Sequence, residues 1–442
     1  MRLLLHSRRV ATPAGLRDAV VEVVDGRIVA VDPAHPERAR AKTLGDLVLG
    51  PGLVDSHVHV NEPGRTAWEG FTTATRAAAA GGITTIVDMP LNSIPVTTTA
   101  EALAVKLYHA IPKLHVDCAF WGGVVPGNAP EIAPMAAGGV VGCKAFLCHS
   151  GIDDFPASDV DTLRTAMTAL AGLGRPLIAH AELEEPAEAH GPPHRYDSWL
   201  HARPCRFEDR AVALLIELCR ETGCRTHIVH LSSAGAVPLL AAARAEGLPL
   251  TSETCPHYLC LTAEEVPDGR TEYKCAPPIR EAANRDLLWE ALAAGHIDFV
   301  VSDHSPCTPH LKLPERGDFH GAWGGIASLQ LGLSTVWTEA CRRGHEVCDV
   351  FGWMSTGPAD FLGLPHKGRI TVGADADLVA FDPDATWSLR SDHLHHRHAT
   401  SPYVGRQLRG RIHHTWLAGR EVARDGSPVG PPRGRPLLWS SE

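Results

Sequence analysis

Hydrophobic and polar positions alternate over the first 50 residues, in short pieces separated by Gly, Pro and Asp. This period of two is typical of strands joined by turns. The same pattern returns beyond Leu364, in the segments KGRITVGADADLVAFDP and RIHHTWLAGREVARDG. Because the N-terminal pieces cannot form a large core alone, we expect residues 1–50 and 366–430 to pack together as one composite β-sandwich domain.

Residues 51–365 follow a different pattern, in which short β-rich runs are often followed by longer Ala- and Leu-rich helical stretches. Near-continuous apolar strands that alternate with helices indicate a parallel sheet covered on both faces. Eight such runs favour a closed (β/α)₈ TIM-type barrel over an open sheet, so the predicted fold class is α/β. The runs span residues 53–60, 83–89, 116–122, 139–146, 176–181, 225–231, 249–255 and 297–303.

Two stretches of the C-terminal segment are predicted to be irregular. Pro and Gly dominate SPVGPPRGRP, so residues 431–442 are expected to form a loosely held tail. The histidine-rich stretch 392–398 resembles a metal-binding tract in composition, but it lies far along the chain from the barrel strand ends. It is predicted to be a solvated loop.

Composition restricts the class of partner. The 442 residues fit one barrel and a smaller domain, and the formal net charge of −10 argues against nucleic-acid and anionic-membrane partners, which need a basic surface. No uncharged apolar run reaches the roughly 18 residues of a membrane span. We therefore expect a small-molecule substrate.

The cysteines and the N-terminus indicate a cytoplasmic protein. The twelve cysteines contain no C-x-x-C pair and lie mostly in apolar stretches, which is typical of reduced core residues in a chain of this length. Three consecutive leucines near the N-terminus, before His6 and Arg8, are too few for a secretory signal.

Candidate chemistry begins at the end of the first barrel strand, DSHVH. Residues two apart on a strand point to the same side, so His57 and His59 can hold one metal ion. A coincidence among 26 histidines is the alternative.

Four further strand ends carry Lys144, His180, His230 and Asp303. Because active sites of such barrels lie at the carboxyl ends of the strands, all these side chains are expected at one rim. Each later residue alone could be a core histidine or a lysine whose stem is buried. Together, at matching strand ends, they favour a metal site.

Lys144 is the informative member of the set. An ammonium repels metal ions, but a neutral lysine amine can react with carbon dioxide to give a carbamate. That group is anionic, has two ligand oxygens and can bridge two cations.

A set of motifs along the chain resembles the cyclic-amide branch of the amidohydrolase superfamily and, within it, the allantoinases. The resemblance covers roughly residues 45 to 420. The motifs are PGLVDSHVHVNEPGRTAWEG, GGITTIVDMPLN, GCKAF, HIVHLSS, SETCPHY, APPIR, VSDHSPC, AWGGIASLQ, KGRITVGADADLV and SPYVGR.

The resemblance implies two divalent ions in the barrel mouth, bridged by hydroxide and by N6-carboxylated Lys144. It implies that Asp303 also accepts the proton of the attacking hydroxide and passes it to the leaving nitrogen. The alternative is that Asp303 serves only as a metal ligand. Zinc is the first expectation, with Co, Mn or Fe as alternatives. The implied ligands are His57, His59 and Asp303 for the more buried ion and His180 and His230 for the more exposed one.

Members of this branch open allantoin, hydantoin and dihydropyrimidine rings, or dihydroorotate. Dihydroorotases usually carry Arg two positions after the second metal histidine, where this chain has Asn61. Hydantoinases usually place Tyr shortly after the carboxylated lysine, where this chain has AFLCHSG with His149. The resemblance therefore favours hydrolysis of (S)-allantoin to allantoate in purine breakdown. A hydantoinase or dihydropyrimidinase is the first alternative, a dihydroorotase the second, and an inactive scaffold, which should have lost ligands, the last.

Substrate contacts and assembly are expectations from the same source. A neutral ring with a ureido arm suits amide and backbone groups more than fixed charge. For Asn92 the alternative role is to cap a turn, and for Gly324 and Gly325 it is to give the loop its geometry. Relatives are commonly homotetramers, which is implied here too. The substrate-binding candidates are Asn92, Ser305, Gly324, Gly325 and, in the EPGR motif, Arg65.

Overall fold

The computed structural model describes residues 1–185 and 191–439, which contain eighteen strands and twelve α-helices. The strands are β1 Arg2–Thr12, β2 Gly15–Val24, β3 Arg27–Asp32, β4 Lys42–Thr43, β5 Val48–Pro51, β6 Leu53–Val58, β7 Ile83–Asp88, β8 Asp117–Phe120, β9 Gly122–Gly123, β10 Cys143–Phe146, β11 Leu177–His180, β12 Thr226–Ile228, β13 Leu250–Thr254, β14 Phe299–Val300, β15 Leu378–Ser388, β16 Gln407–Leu417, β17 Arg420–Arg424 and β18 Ser427–Pro428.

The helices fall mainly between the barrel strands. The α-helices are α1 Phe71–Ala80, α2 Ala100–Ala110, α3 Ile132–Ala137, α4 Val160–Gly172, α5 Tyr196–Ala202, α6 Arg206–Thr222, α7 Val237–Ala245, α8 Pro256–Cys260, α9 Ala282–Ala293, α10 Gly332–Arg342, α11 Val347–Phe351 and α12 Gly357–Phe361. A π-helical turn spans Gly352–Thr356, and 3₁₀ turns span Arg38–Arg40, Ile111–Lys113, Ala129–Glu131, Ala234–Ala236, Ala263–Glu265, Thr271–Tyr273, Pro309–Lys312, Leu329–Leu331 and Ser391–His393.

The predicted (β/α)₈ barrel is confirmed. Strands β6, β7 and β8 pair in parallel, and β9 to β14 form a second parallel run. Strands β8 and β9 are two halves of the third barrel strand, separated only by Trp121. The ring closes where Val58 forms a parallel bridge with His304, and the N–H of His59 donates to the His304 carbonyl at 2.8 Å. All eight carboxyl strand ends therefore meet at one rim.

Both terminal segments contribute to one sheet outside the barrel. Its nine strands are hydrogen-bonded in the order β18-β17-β16-β15-β5-β1-β2-β3, with β4 beside β1. The antiparallel pair of β5 and β15 joins the N-terminal segment to the C-terminal one. Apolar side chains from both segments, including Leu49 and Leu378, form its buried core. The domain limits 1–50, 51–365 and 366–430 stay predictions.

The loosely held C-terminal tail is wrong as a prediction for residues 434–439. The N–H of Cys118 on β8 donates to the Arg435 carbonyl at 3.0 Å, and the N–H of Leu437 donates to the Cys118 carbonyl at 2.9 Å. Pro436, between them, has no N–H and needs no partner on that side. The segment binds there because β8 pairs with β7 along only one edge, and β10 pairs with the β9 half of the strand.

The solvated loop predicted for residues 392–398 is also wrong in part. His396 is buried, and its ring lies 5.5 Å from that of His304 on the barrel. The Arg397 N–H donates to the Glu69 carboxylate at 3.1 Å. The stretch therefore packs against the outside of the barrel rim.

Across the described ranges, we find no helix with the length and apolar character needed to cross a membrane.

Candidate metal centre

Three of the predicted ligands form a compact group at the end of β6. The Nε2 atoms of His57 and His59 lie 3.3 and 3.6 Å from Oδ1 of Asp303. All three side chains are buried, and their ligand atoms lie within 4.8 Å of one another. Two nitrogens and one carboxylate oxygen at this spacing are suited to one divalent ion.

The other three predicted residues surround this group. Lys144 on β10 places its Nζ 3.0 Å from Nε2 of His57. The ring of His230 lies 5.3 Å from that of His57 and 4.6 Å from that of His180 at the end of β11. The structure thus brings together all six side chains that the sequence places at strand ends.

Two of the six have a left-handed backbone. The φ angles are +41° at His230 and +43° at Asp303. A non-glycine residue in this region is strained, and such residues are concentrated at functional sites. Both residues lie just beyond the end of a barrel strand, and both side chains face the barrel mouth.

In His57 on β6 and in His59 just beyond it, Nδ1 is bonded to another residue and Nε2 is directed toward the other predicted ligands. Nδ1 of His57 hydrogen-bonds the Glu253 carboxylate at 2.6 Å, and Nδ1 of His59 bonds the Leu91 carbonyl at 3.1 Å. These contacts leave both Nε2 atoms facing Asp303. A ligating histidine usually donates its other N–H to a carboxylate or carbonyl in this manner, so the pair fits a metal.

The two remaining histidines also fit. Nε2 of His180 bonds the Glu182 carboxylate at 2.7 Å, which leaves its Nδ1. Nδ1 of His230 is buried with no hydrogen-bond partner in the described part of the chain. An orphaned buried nitrogen is costly unless something binds it. The donor set therefore suits a second ion beside the first.

Burial controls the charges in this cluster. It lowers the pKa of His57, His59 and His230 well below the ordinary value, so these rings are neutral and can bind metal. It also lowers the pKa of Lys144 and raises that of Asp303. A bound divalent cation would favour the ionised carboxylate instead.

The sequence did not identify Glu253 or Glu182 as functional. Glu253 lies on β13 and contacts His57. Glu182 follows β11, and its carboxylate is hydrogen-bonded to both His180 and Arg203. Both carboxylates are completely or almost completely buried. In the sequence, each is an acidic residue at or just beyond the end of a β-rich run, Glu253 in SETC and Glu182 in HAELEE. Many surface acids have a similar position, so this signal alone did not identify them.

A cavity of about 540 Å³ opens beside the cluster. Four of the five substrate-binding candidates line it, together with five of the six proposed ligands. His57 lies behind them, fully buried. Among the residues that the sequence did not single out, the cavity wall includes Trp199, Arg203, Lys274 and Trp323. The lining candidates are Asn92, Ser305, Gly324 and Gly325.

Arg65 is not among the residues that line the cavity. Its Nη1 donates to the main-chain carbonyl of Asn92 at 2.7 Å, so Arg65 contacts a residue of the cavity wall. The Oδ1 atom of Asn92 is buried and has no partner among the described residues. Gly325 has a structural reason for being glycine, because a Cβ there would lie 2.3 Å from the Ser305 carbonyl oxygen. His149 lies on the lip of the cavity and is largely exposed.

Comparisons with known proteins agree with this arrangement. Residues 48–422 match the model of the Amidohydrolase family. The chain is 52% identical to the allantoinase of Streptomyces avermitilis, over 99% of this chain and 98% of that protein. It is 44% identical to the allantoinase of Arabidopsis thaliana, over 96% of this chain and 88% of that protein.

A solved structure with a similar fold is the L-hydantoinase (dihydropyrimidinase) from Arthrobacter aurescens. The TM-score is 0.93 at 30% sequence identity, and the match covers 99% of both chains. The protein therefore belongs to the amidohydrolase family, and its sequence places it among the allantoinases.

Proposed function

We propose that this protein hydrolyses the cyclic amide bond of allantoin to give allantoate. One observation supports the proposal: a chain that is 52% identical to an allantoinase along nearly its whole length brings His57, His59 and Asp303 together beside a cavity, as a group that could hold a metal ion. The cavity volume, about 540 Å³, is within the range of small-molecule sites. The (S) enantiomer stays the expected substrate.

We infer that two divalent ions bind at the rim, with carboxylated Lys144 between them. Zinc is proposed first, because histidine nitrogens with carboxylate-type oxygens suit it, as they suit Co, Mn and Fe. Such ions, when bound, lower the pKa of water and polarise an amide carbonyl. The residues that would hold them are His57, His59 and Asp303 for one ion and His180 and His230 for the other.

Asp303 is proposed to move the proton during hydrolysis. Its Oδ1 faces His57 and His59, so Oδ2 remains for the reacting groups in the cavity that Asp303 lines. Oδ2 accepts the proton from the attacking water and donates it to the ring nitrogen as the amide bond breaks. The buried side-chain amide of Asn92, whose main-chain carbonyl accepts a hydrogen bond from Arg65, is proposed to orient the ring.

The hydantoinase alternative has a specific observation in its favour, the fold match to a hydantoinase at a TM-score of 0.93. The identity in that match is 30%, against 52% and 44% to the allantoinases. The dihydroorotase alternative lacks its expected cation. Asn61 is fully buried, and its amide donates to the Pro306 carbonyl at 3.2 Å.

The test uses purified protein loaded with zinc and supplied separately with allantoin, hydantoin, dihydrouracil and dihydroorotate. We expect the highest kcat/KM for allantoin. A matched control is Asp303→Asn, which keeps the shape of the side chain and should be inactive on all four. Faster turnover of any other ring by the unaltered protein would contradict the proposal, and no turnover of any ring would favour the inactive scaffold.

Location and assembly are further proposals. None of the twelve cysteines forms a disulfide, and eight of them are buried, which supports a reducing compartment such as the cytoplasm. A homotetramer is proposed from the resemblance alone. Light scattering coupled to size-exclusion chromatography measures the assembly, and a monomer would contradict it.

A further inference from the structure

Lys274 is a buried lysine in the wall of the cavity. It is 5% exposed and follows the 3₁₀ turn Thr271–Tyr273. Its Nζ donates to the His320 carbonyl at 2.9 Å and to the Ala322 carbonyl, and it lies 4.2 Å from the centre of the Trp199 ring. No carboxylate of the described residues forms an ion pair with it. Burial lowers the pKa of Lys274 to about 7, so the ammonium form, with its three N–H donors, predominates below that pH.

Lys312 offers a close comparison. It is also buried, and its Nζ donates to the carbonyls of Lys274, Trp323 and Gly325 at 3.3, 2.9 and 2.5 Å. An ammonium has three N–H donors, so those of Lys312 are all used on the backbone. Lys312 is not among the residues that line the cavity, whereas Lys274 lines it and has one donor left. The two lysines share a structural task, but only Lys274 faces the site.

A short packed path connects Lys274 to the reacting end of the cavity. The Gly325 N–H donates to the Lys274 carbonyl at 2.9 Å. Gly325 lies directly against the Ser305 carbonyl, two residues beyond Asp303. A small substrate at Asp303 can therefore extend toward Lys274 inside the same cavity.

We propose that Lys274 determines specificity by donating its third N–H to the carbonyl oxygen of the ureido arm of allantoin. This inference rests on the proposed function. A neutral acceptor suits a cation already bonded to two carbonyls, and the side chains of Trp199 and Trp323 line the same cavity. The other cation in the wall, Arg203, is already paired with Glu182 and Glu184.

The experiment compares Lys274→Met with the matched control Lys312→Met in the zinc-loaded protein. Two quantities are measured for each: kcat/KM for allantoin, and the inhibition constant of hydantoin, the same ring without the arm. Loss of one hydrogen bond from a charged donor should lower kcat/KM of Lys274→Met for allantoin by about 10- to 100-fold. The ratio of the two quantities should fall with it, but should stay at the wild-type value in Lys312→Met.

Three results would overturn the inference. They are an unchanged kcat/KM in Lys274→Met, an equal weakening toward both compounds, or the same selective loss in Lys312→Met, because loop placement would then suffice. If Lys274→Met does not fold, Lys274→Gln replaces it, since its amide keeps a donor, and a smaller selective loss is expected. If the wild-type protein hydrolyses hydantoin but not allantoin, the proposed function itself fails.

Discussion

Two buried lysines at different places on the barrel have opposite surroundings. Lys144 lies within the proposed metal centre, 1% exposed, with the His57 ring as its near neighbour at 3.0 Å. Lys367 is 4% exposed and lies between three carboxylates, Asp117, Asp375 and Asp377, at 2.8, 3.2 and 2.6 Å. Burial lowers the pKa of Lys144, whereas at Lys367 the carboxylates overcome burial and raise it.

The two lysines differ in position as well: one lies at the functional rim of the barrel and the other at its opposite end. Asp117 is the first residue of β8, so the Lys367 cluster lies at the amino end of a barrel strand and joins it to the segment before β15. Lys144 lies on β10, at the rim where all the proposed ligands meet. An ammonium fixed by three carboxylates is a structural link. A lysine with a histidine ring as its near neighbour suits a reaction at its amine.

Lys144→Ala gives the largest expected effect. Without the amine there is no bridging carbamate, and kcat/KM for allantoin should fall by at least about 1000-fold, since the metal centre supplies most of the rate enhancement. Steady-state kinetics measure the loss. Short-chain carboxylic acids in the buffer should restore part of the activity by replacing the carbamate. Full activity in this variant would refute the bridging role.

Lys367→Met should affect stability and leave the chemistry nearly unchanged. Removing the cation takes the nearest positive charge from the buried carboxylates of Asp117 and Asp377, whereas Asp375 keeps its ion pair with Arg27. The free energy of unfolding should therefore fall by about 3 kcal/mol. Urea titration followed by tryptophan fluorescence measures it. Asp375→Asn, which removes one carboxylate and keeps the lysine paired, is the milder control. If kcat/KM of the folded Lys367→Met protein fell as far as that of Lys144→Ala, the contrast between the two lysines would be wrong.

Glu253→Gln should have an intermediate effect on the metal centre. The amide keeps the shape of the side chain but loses the charge that accepts from Nδ1 of His57, and loss of such a partner typically costs about 10- to 100-fold in metal affinity or activity. Competition with a fluorescent chelator measures the affinity for zinc. The same substitution at an exposed acid, Glu281→Gln, is the control. Equal zinc affinity in Glu253→Gln and the wild type would mean that Glu253 does not orient His57.

Eight β-rich runs with helical stretches between them predicted the barrel, and strand-end positions predicted that six side chains meet at its rim. A strand end is a local feature, and parallel strands bring their ends together whatever lies between them. Glu253 and Lys274 could not be found in this way, because their roles depend on partners that the fold supplies from distant segments, such as His57 and the carbonyl of His320. The prediction of a loosely held tail was wrong for a similar reason, because the tail binds to the edge of β8 that no other barrel strand pairs with.

We propose that the rim of this barrel holds two metal ions with a carboxylated Lys144 between them. A crystal structure of the zinc-loaded protein, with anomalous scattering at the zinc edge, tests it most directly. We predict two anomalous peaks, one within bonding distance of His57, His59 and Asp303 and one beside His180 and His230, with density for a carboxyl group continuous with Nζ of Lys144. A single peak, or a bare lysine amine beside two ions, would contradict the claim.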